Sequence, residues 1–254
     1  MDIFYYFIIY IYNIFYKYII YMKDYLFFCC YGRAGYEALN IILLKNYFGY
    51  KKLIIFTHKK DNDTLISFIK NLKLEYYTES INKCKYIINN KNGFLLSFHY
   101  RNIIKEDILN CFNGRAVNLH PSLLPNYKGC FSSVWAIING EKETGISYHE
   151  CIPEIDNGNI LIQEKININD NETGYSLFNK LISLAILHLE KLFKLIDEDY
   201  KGITQNGKGT YYKREIPFNN IIDSNWSEEY KKRYIRALYY PPYDPPIEAP
   251  KHNS

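Results

Sequence analysis

The segment Ala116 to Gly129, AVNLHPSLLPNYKG, sets an amide and an imidazole two residues apart at the end of an apolar run, then leaves through a loop bounded by Pro121 and Pro125. Asn118 and His120 stand at i and i+2, so on a strand their side chains leave the same face. A core needs neither polar group there. The pair is either a structural cap or chemistry, and an isolated histidine in an apolar run is more often a satisfied core residue. What tilts the balance is a carboxylate downstream, Asp156, in the Gly-flanked loop EIDNGN. An amide donor, an imidazole and a carboxylate form a coherent set for acyl transfer to an amine. Asn118 can hold a developing oxyanion. His120 can donate to that oxyanion or move a proton. Asp156 can orient and stabilise the imidazolium, or help take the proton that an attacking amine must lose. No Ser or Cys beside a base is evident, so direct attack by the acceptor's amine fits better than a covalent enzyme intermediate.

These residues need a scaffold that delivers them to one place. From Met22 onward short apolar runs alternate with helical periodicity. DYLFFCC, KKLIIFTH, GFLLSFHY and GRAVNLH predict strands, with weaker strand-like pieces at EYYT and KYIINN. Between them lie GRAGYEALNIILLKNY, NDTLISFIKNL (capped by Asn62 or Asp63) and KEDILNCF, which predict helices. This alternation predicts an α/β fold with a doubly wound, mostly parallel sheet. Asn118 and His120 then lie at a strand's carboxyl end, where such sheets place their ligand crevices. Further on, SSVWAIING predicts a helix, TGISYHECI and GNILIQEKINI two strands, and GYSLFNKLISLAILHLEKLFKLIDE one long amphipathic helix. From Gly202 the texture changes to short pieces, a brief helix SEEYKKRYIRALY and a proline-rich tail. The expected organisation is an apolar extension over 1–21, a catalytic core over 22–200, and a small β-rich C-terminal subdomain over 201–254.

Composition excludes several classes. With 254 residues, 48% hydrophobic and 23% charged, the chain is a folded globular protein rather than a disordered one. A net charge of +4 without a basic block argues against nucleic-acid binding. The six cysteines show no zinc-like spacing, and they point to a reducing, cytoplasmic compartment. His99, His149 and His188 are dispersed, so no metal is expected. Residues 1–21 carry seven tyrosines, Asn13 and Lys17, which favours an upstream extension over a membrane anchor. GRAG, Gly32 to Gly35, lacks the GxGxxG fingerprint, so it is a strand-to-helix turn and not evidence for NAD.

The runs NLHPSLLPNYKG, WAIINGEKETGISYH and DNGNIL resemble the signature of the folate-dependent formyltransferases, over roughly Lys23 to Tyr243. The resemblance implies Asn118, His120 and Asp156 as the catalytic triad and N10-formyltetrahydrofolate as formyl donor. It implies main-chain contacts to the pterin near Tyr100, Asn102 and Ile104, and around Ile152 and Ile155. CYGRAG lacks the Gly-Ser-rich phosphate loop of the purine enzyme, and the C-terminal piece is too small and too little basic for the methionyl-tRNA enzyme. The similarity is greatest to sugar-nucleotide N-formyltransferases of the dTDP-4-amino-4,6-dideoxyglucose type, which implies a nucleotide-linked 4-amino sugar as acceptor and a homodimer. Arg33 and Lys128 could pair with a diphosphate or be solvated. Tyr211 and Trp226 could stack on a base or pack the appendage. Thymidine and uridine nucleotides both stay open. So do two alternatives, methionyl-tRNA formylation and a membrane-anchored formyltransferase-like binding domain.

Overall fold

The computed structural model describes residues 24–59, 63–89 and 91–248. The expectations for 1–21, and Asn62 as a helix cap, lie outside them. Among the described residues no helix is long and apolar enough to cross a membrane. Packing divides the chain into two compact units, 24–116 with 196–199 and 117–195 with 200–248. The boundary falls inside the expected 22–200 core and groups the C-terminal segment with the residues from 117 onward.

In the first unit β1 (Tyr25–Cys30), α1 (Gly32–Leu44), β2 (Lys52–Phe56), α2 (Thr64–Asn71), β3 (Glu75–Tyr77), α3 (Lys85–Ile88), β4 (Gly93–Phe98) and α4 (Glu106–Leu109) follow in turn. Strand order is β3-β2-β1-β4, every pair parallel. Leu26 to Cys30 and all of β4 are buried, as their unbroken apolar runs require of strands covered on both faces. Asp63 caps α2 by accepting from the N–H of Leu65 at 2.8 Å. KYIINN is a correction: the strand-like run holds the four-residue helix α3, which follows a 3₁₀ turn (Ile81–Lys83) capped by Ser80 through the Asn82 N–H. A short apolar run buries equally well as one helical turn, with Ile87 and Ile88 inward and Tyr86 outward.

The second unit opens with β5 (Ala116–His120) and continues through β6 (Lys128–Gly129), α5 (Ser132–Ile138), β7 (Glu143–Glu150), β8 (Ile160–Asn167), α6 (Gly174–Leu187) and α7 (Leu189–Asp197). It ends with β9 (Tyr211–Tyr212), β10 (Ile221–Ile222), α8 (Glu228–Leu238) and β11 (Ile247–Glu248). Strands β5, β7 and β8 lie side by side and antiparallel. Taken over both units, parallel pairing predominates among the sheet strands, as the α/β expectation has it. The expected C-terminal strands are present as β9, β10 and β11, accompanied by α8, whose Ser227 accepts from the Tyr230 N–H. Helix α8 packs on α5 and α6.

The long helix expected from GYSLFNKL onward is interrupted at His188, between α6 and α7. The His188 ring donates from Nδ1 to Leu184 O at 2.9 Å, and its main-chain N–H turns to Ala185 O. A side chain has taken the carbonyl that the next helical bond would have used.

Candidate active site

Strand β5 delivers Asn118 and His120, and the antiparallel register sets Asn118 opposite His149 on β7 and His120 opposite Ser147. His120 is buried, and its Nε2 donates to the carbonyl of Tyr127 at 2.7 Å. Because a carbonyl only accepts, Nε2 carries the ring proton in the neutral form. The other nitrogen, Nδ1, lies 3.4 Å from Oδ2 of Asp156.

Asp156 is buried in the turn between β7 and β8, in the left-handed region at φ +52°. Aspartate tolerates that region better than most residues. Next to it Gly158 passes so close to strand β7 that a Cβ would stand 2.0 Å from Glu150 O. That approach closes the loop, and only glycine permits it. Oδ2 accepts from the Gly129 N–H at 2.7 Å, and Oδ1 lies 3.4 Å from His149 Nε2. Lys128 is buried beside this group, its Nζ donating to Asn157 Oδ1 at 2.6 Å.

His149 completes the cluster. Its Nδ1 donates to Glu150 O at 2.9 Å, which leaves Nε2 to accept from Asn118 Nδ2 at 3.1 Å. Two buried imidazoles, one buried carboxylate and one half-buried amide therefore form a single network. Burial pushes the Asp156 carboxyl upward, but His120, His149 and the Gly129 N–H outweigh it and hold the group at about 2. Burial pulls His120 below its ordinary value, more strongly than Asp156 raises it. At neutral pH the cluster holds an ionised carboxylate and a neutral His120.

The structure thus brings Asn118, His120, Asp156 and Lys128 together in the second unit. Sequence reasoning missed His149, Tyr127 and Gly129 as members. The alternation in TGISYHE marks a strand, but only the β5–β7 register shows that His149 faces Asn118. The contributions of Tyr127 and Gly129 are main-chain, to which side-chain identity gives no clue. In the same unit Ile152 is half-buried and Ile155 is 40% exposed. Tyr211 is exposed on β9, and Trp226 stands edge-on to Phe218, Tyr230 and Tyr234 at 4.8–5.0 Å, inside an aromatic cluster.

The remaining expected binding residues lie in the first unit. Tyr100 stacks on His58 at 4.8 Å, accepts from the Ile81 N–H, and has its phenol pushed up to about 12 by burial. Asn102 hydrogen-bonds to Tyr100, and Ile104 is half-buried behind Ile103, whose carbonyl is taken by Asn82. Arg33 is largely exposed and pairs with Glu37 one helical turn on.

Residues 77–187 match the model of the formyl transferase family, a span that contains the whole buried cluster. GDP-perosamine N-formyltransferase of Brucella melitensis is 39% identical over 201 residues, covering 77% of this chain and 78% of that protein. This chain belongs to the formyl transferase family. Among solved structures, the sugar 3N-formyltransferase WlaRD, seen with dTDP and 5-N-formyl-THF, is 25% identical with a TM-score of 0.73, covering 86% of this chain and 80% of that one. PseJ of Anoxybacillus kamchatkensis, in complex with UDP-4,6-dideoxy-4-formamido-L-AltNAc and tetrahydrofolate, is 28% identical with a TM-score of 0.52, over 63% of this chain and 85% of that one. The protein is accordingly a formyltransferase, and the buried network is its candidate active site.

Proposed function

We propose that the protein transfers a formyl group from N10-formyltetrahydrofolate to the 4-amino group of a nucleotide-linked dideoxy sugar. The observation that carries this reading is the buried Asn118–His149–Asp156–His120 network, which offers an amide donor and a place for one proton side by side. The relatives support the acceptor class: one acts on GDP-perosamine, and another is seen with a 4-formamido sugar nucleotide and tetrahydrofolate. The sequence left thymine and uracil open as the base, and the Brucella relative adds guanine.

The loop around Asp156 suits a folate donor. Ile155 offers an exposed apolar side chain immediately before the buried carboxylate, fit to lie against a flat ring. We assign the main chain of Ile152 to Ile155 to holding it, and in the first unit Tyr100, Asn102 and Ile104 are kept as separate candidates for the donor. When bound, the donor supplies an electrophilic formyl carbon. Asn118 donates from Nδ2 to the oxygen on which negative charge develops. His120 has Nε2 fixed on Tyr127 O, so its Nδ1, beside Asp156, is the nitrogen placed to receive a proton. Asp156 balances the imidazolium so formed. Lys128, Arg33, Tyr211 and Trp226 remain our candidates for the nucleotide. We also propose a cytoplasmic homodimer, supported by the exposed side chains of Tyr239, Tyr243 and Ile247 in the C-terminal segment.

The test is to incubate the full chain with the folate donor and GDP-, dTDP- and UDP-linked 4-amino-4,6-dideoxy sugars, and to follow product mass. One acceptor gaining a formyl group is expected. No product with any of them overturns the acceptor assignment, and formylation of methionyl-tRNA instead replaces it.

A further inference from the structure

We propose that Gln205 is a positioning residue for formyl transfer, the anchor of a strap, Gln205 to Tyr212, that sets the distance between Asp156 and His120. The inference rests on the reading that these two groups handle the proton.

Gln205 donates from Nε2 to two carbonyls of the Asp156 loop, Asp156 O at 2.9 Å and Gly158 O at 2.8 Å. The first of these bonds is to the carbonyl of the residue held at φ +52°, and together they hold the turn that follows the carboxylate's own residue. Both donors of the amide are thereby spent on the loop, while the Gln205 Oε1 is buried without a hydrogen-bond partner among the described residues. A buried acceptor left unmatched is costly. Neither a carboxylate at this position, which has no donor, nor a shorter amide could donate twice in this way.

The other end of the strap holds the other partner. Strand β9 pairs with β6, with Lys128 N–H on Thr210 O and Cys130 N–H on Tyr212 O, both at 2.9 Å. Thr210 Oγ1 accepts from the Tyr127 N–H at 2.8 Å. The Tyr127 and Tyr212 rings stack at 5.6 Å and 8°, and Trp135 covers the far face of Tyr212 at 4.5 Å. Asn139 Nδ2 donates to both phenol oxygens. The piece so fixed, Tyr127 to Gly129, is the one that touches both reacting partners: Tyr127 O holds His120 and Gly129 N–H holds Asp156. Its glycine is dictated by the strap, since a Cβ at 129 would stand 2.1 Å from Tyr212 O. One eight-residue segment thus fixes the loop behind the carboxylate and the strand between it and the imidazole.

The experiment compares the full-length wild type with Gln205→Met, Gln205→Glu and Thr210→Val, reading kcat, KM for the amino-sugar nucleotide, the pH profile of kcat/KM and the melting temperature. Loss of the strap's grip should lower kcat about 10- to 100-fold in both Gln205 variants, the scale expected of a sub-ångström to one-ångström misplacement. The acceptor KM should stay within about twofold, and the acid limb of the pH profile should move. Folded Gln205 variants with wild-type kcat, or with a lowered kcat and an unmoved pH profile, overturn the inference. If Gln205→Met does not fold, the isosteric Thr210→Val decides it through Tyr127: an unmoved profile there overturns it too. Asp156→Asn, assayed beside them, separates the two levels. If that variant stays active, the acid–base reading itself fails. If it is inactive while the strap variants behave as wild type, only the positioning role fails.

Discussion

Replacing Asp156 by Asn tests the proton-handling role with the smallest change of shape. The carboxyl ordinarily titrates at 3.8; burial raises it, but the two histidines and the Gly129 N–H prevail and leave it at about 2. A depression of that size corresponds to about 2 kcal/mol of stability at neutral pH. Its sign is fixed by the folded value lying below the unfolded one: the contribution is complete above pH 3.8 and is lost as pH falls towards 2. The substituted amide can still accept from Gly129, so the loop keeps its hydrogen bond. What it lacks is the charge that balances an imidazolium on His120, whose Nδ1 lies 3.4 Å away. Removing that assistance should lower kcat by about 10³, a barrier change of about 4 kcal/mol. Product mass at fixed times gives kcat, and denaturant melts from neutral pH to pH 2.5 give the stability. We expect the variant to lose up to about 2 kcal/mol at neutral pH and to lack the wild type's decline below pH 4. A variant within tenfold of wild-type kcat refutes the assignment, and an unchanged acid limb of stability refutes the charge argument.

His149→Ala removes the ring that accepts from the Asn118 amide and lies 3.4 Å from Asp156, and it should cost about 1–3 kcal/mol of stability in urea melts together with a fall in kcat. His120 is held below its ordinary value by burial, so the unfolded chain takes up its proton first. Stability should therefore fall as pH drops through about 6.5, and His120→Gln should flatten that part of the profile. Gly129→Ala forces a Cβ to 2.1 Å from Tyr212 O at a backbone φ of +88°; a loss of about 2 kcal/mol or more is expected by thermal melting. Trp226→Ala removes the ring that Phe218, Tyr230 and Tyr234 surround. If packing is its role, stability drops and the acceptor KM does not change; a raised KM at full stability indicates base stacking.

Much of this was legible in the chain because the relevant signals are local. The buried runs of β1 and β4 name themselves by composition, and the i, i+2 spacing of Asn118 and His120 fixes their common face once β5 is a strand. The Gly-flanked loop singled out Asp156, and the structure places that residue in the left-handed region of the backbone. What stayed hidden depends on distance along the chain. His149 enters the site only through an antiparallel register, and Gln205 through contacts 47 and 49 residues away. KYII was misjudged because four apolar residues carry no period that distinguishes a strand from a helical turn. The break at His188 was invisible to periodicity because Leu181, Ile182, Ala185, Leu189 and Leu192 are buried on either side of it. The interruption is made by a ring that competes for one carbonyl, and no apolar pattern records that.

The hydrogen-bond senses in the site lead to one conclusion. Tyr127 O and Glu150 O can only accept, so Nε2 of His120 and Nδ1 of His149 each donate to main chain, and the other nitrogen of each ring faces inward. Asp156 is ionised and has no proton to offer either of them. Two inward ring nitrogens and the Asp156 carboxylate thus meet at 3.4 Å, with the Asn118 amide and the Gly129 N–H donating into the group. A proton arriving on the inward nitrogen of His120 meets the Asp156 carboxylate at 3.4 Å. Burial keeps His120 unprotonated until then. On the proposed reading, the proton that an attacking amine loses passes to His120, unprotonated at neutral pH, and then leaves with the departing nitrogen.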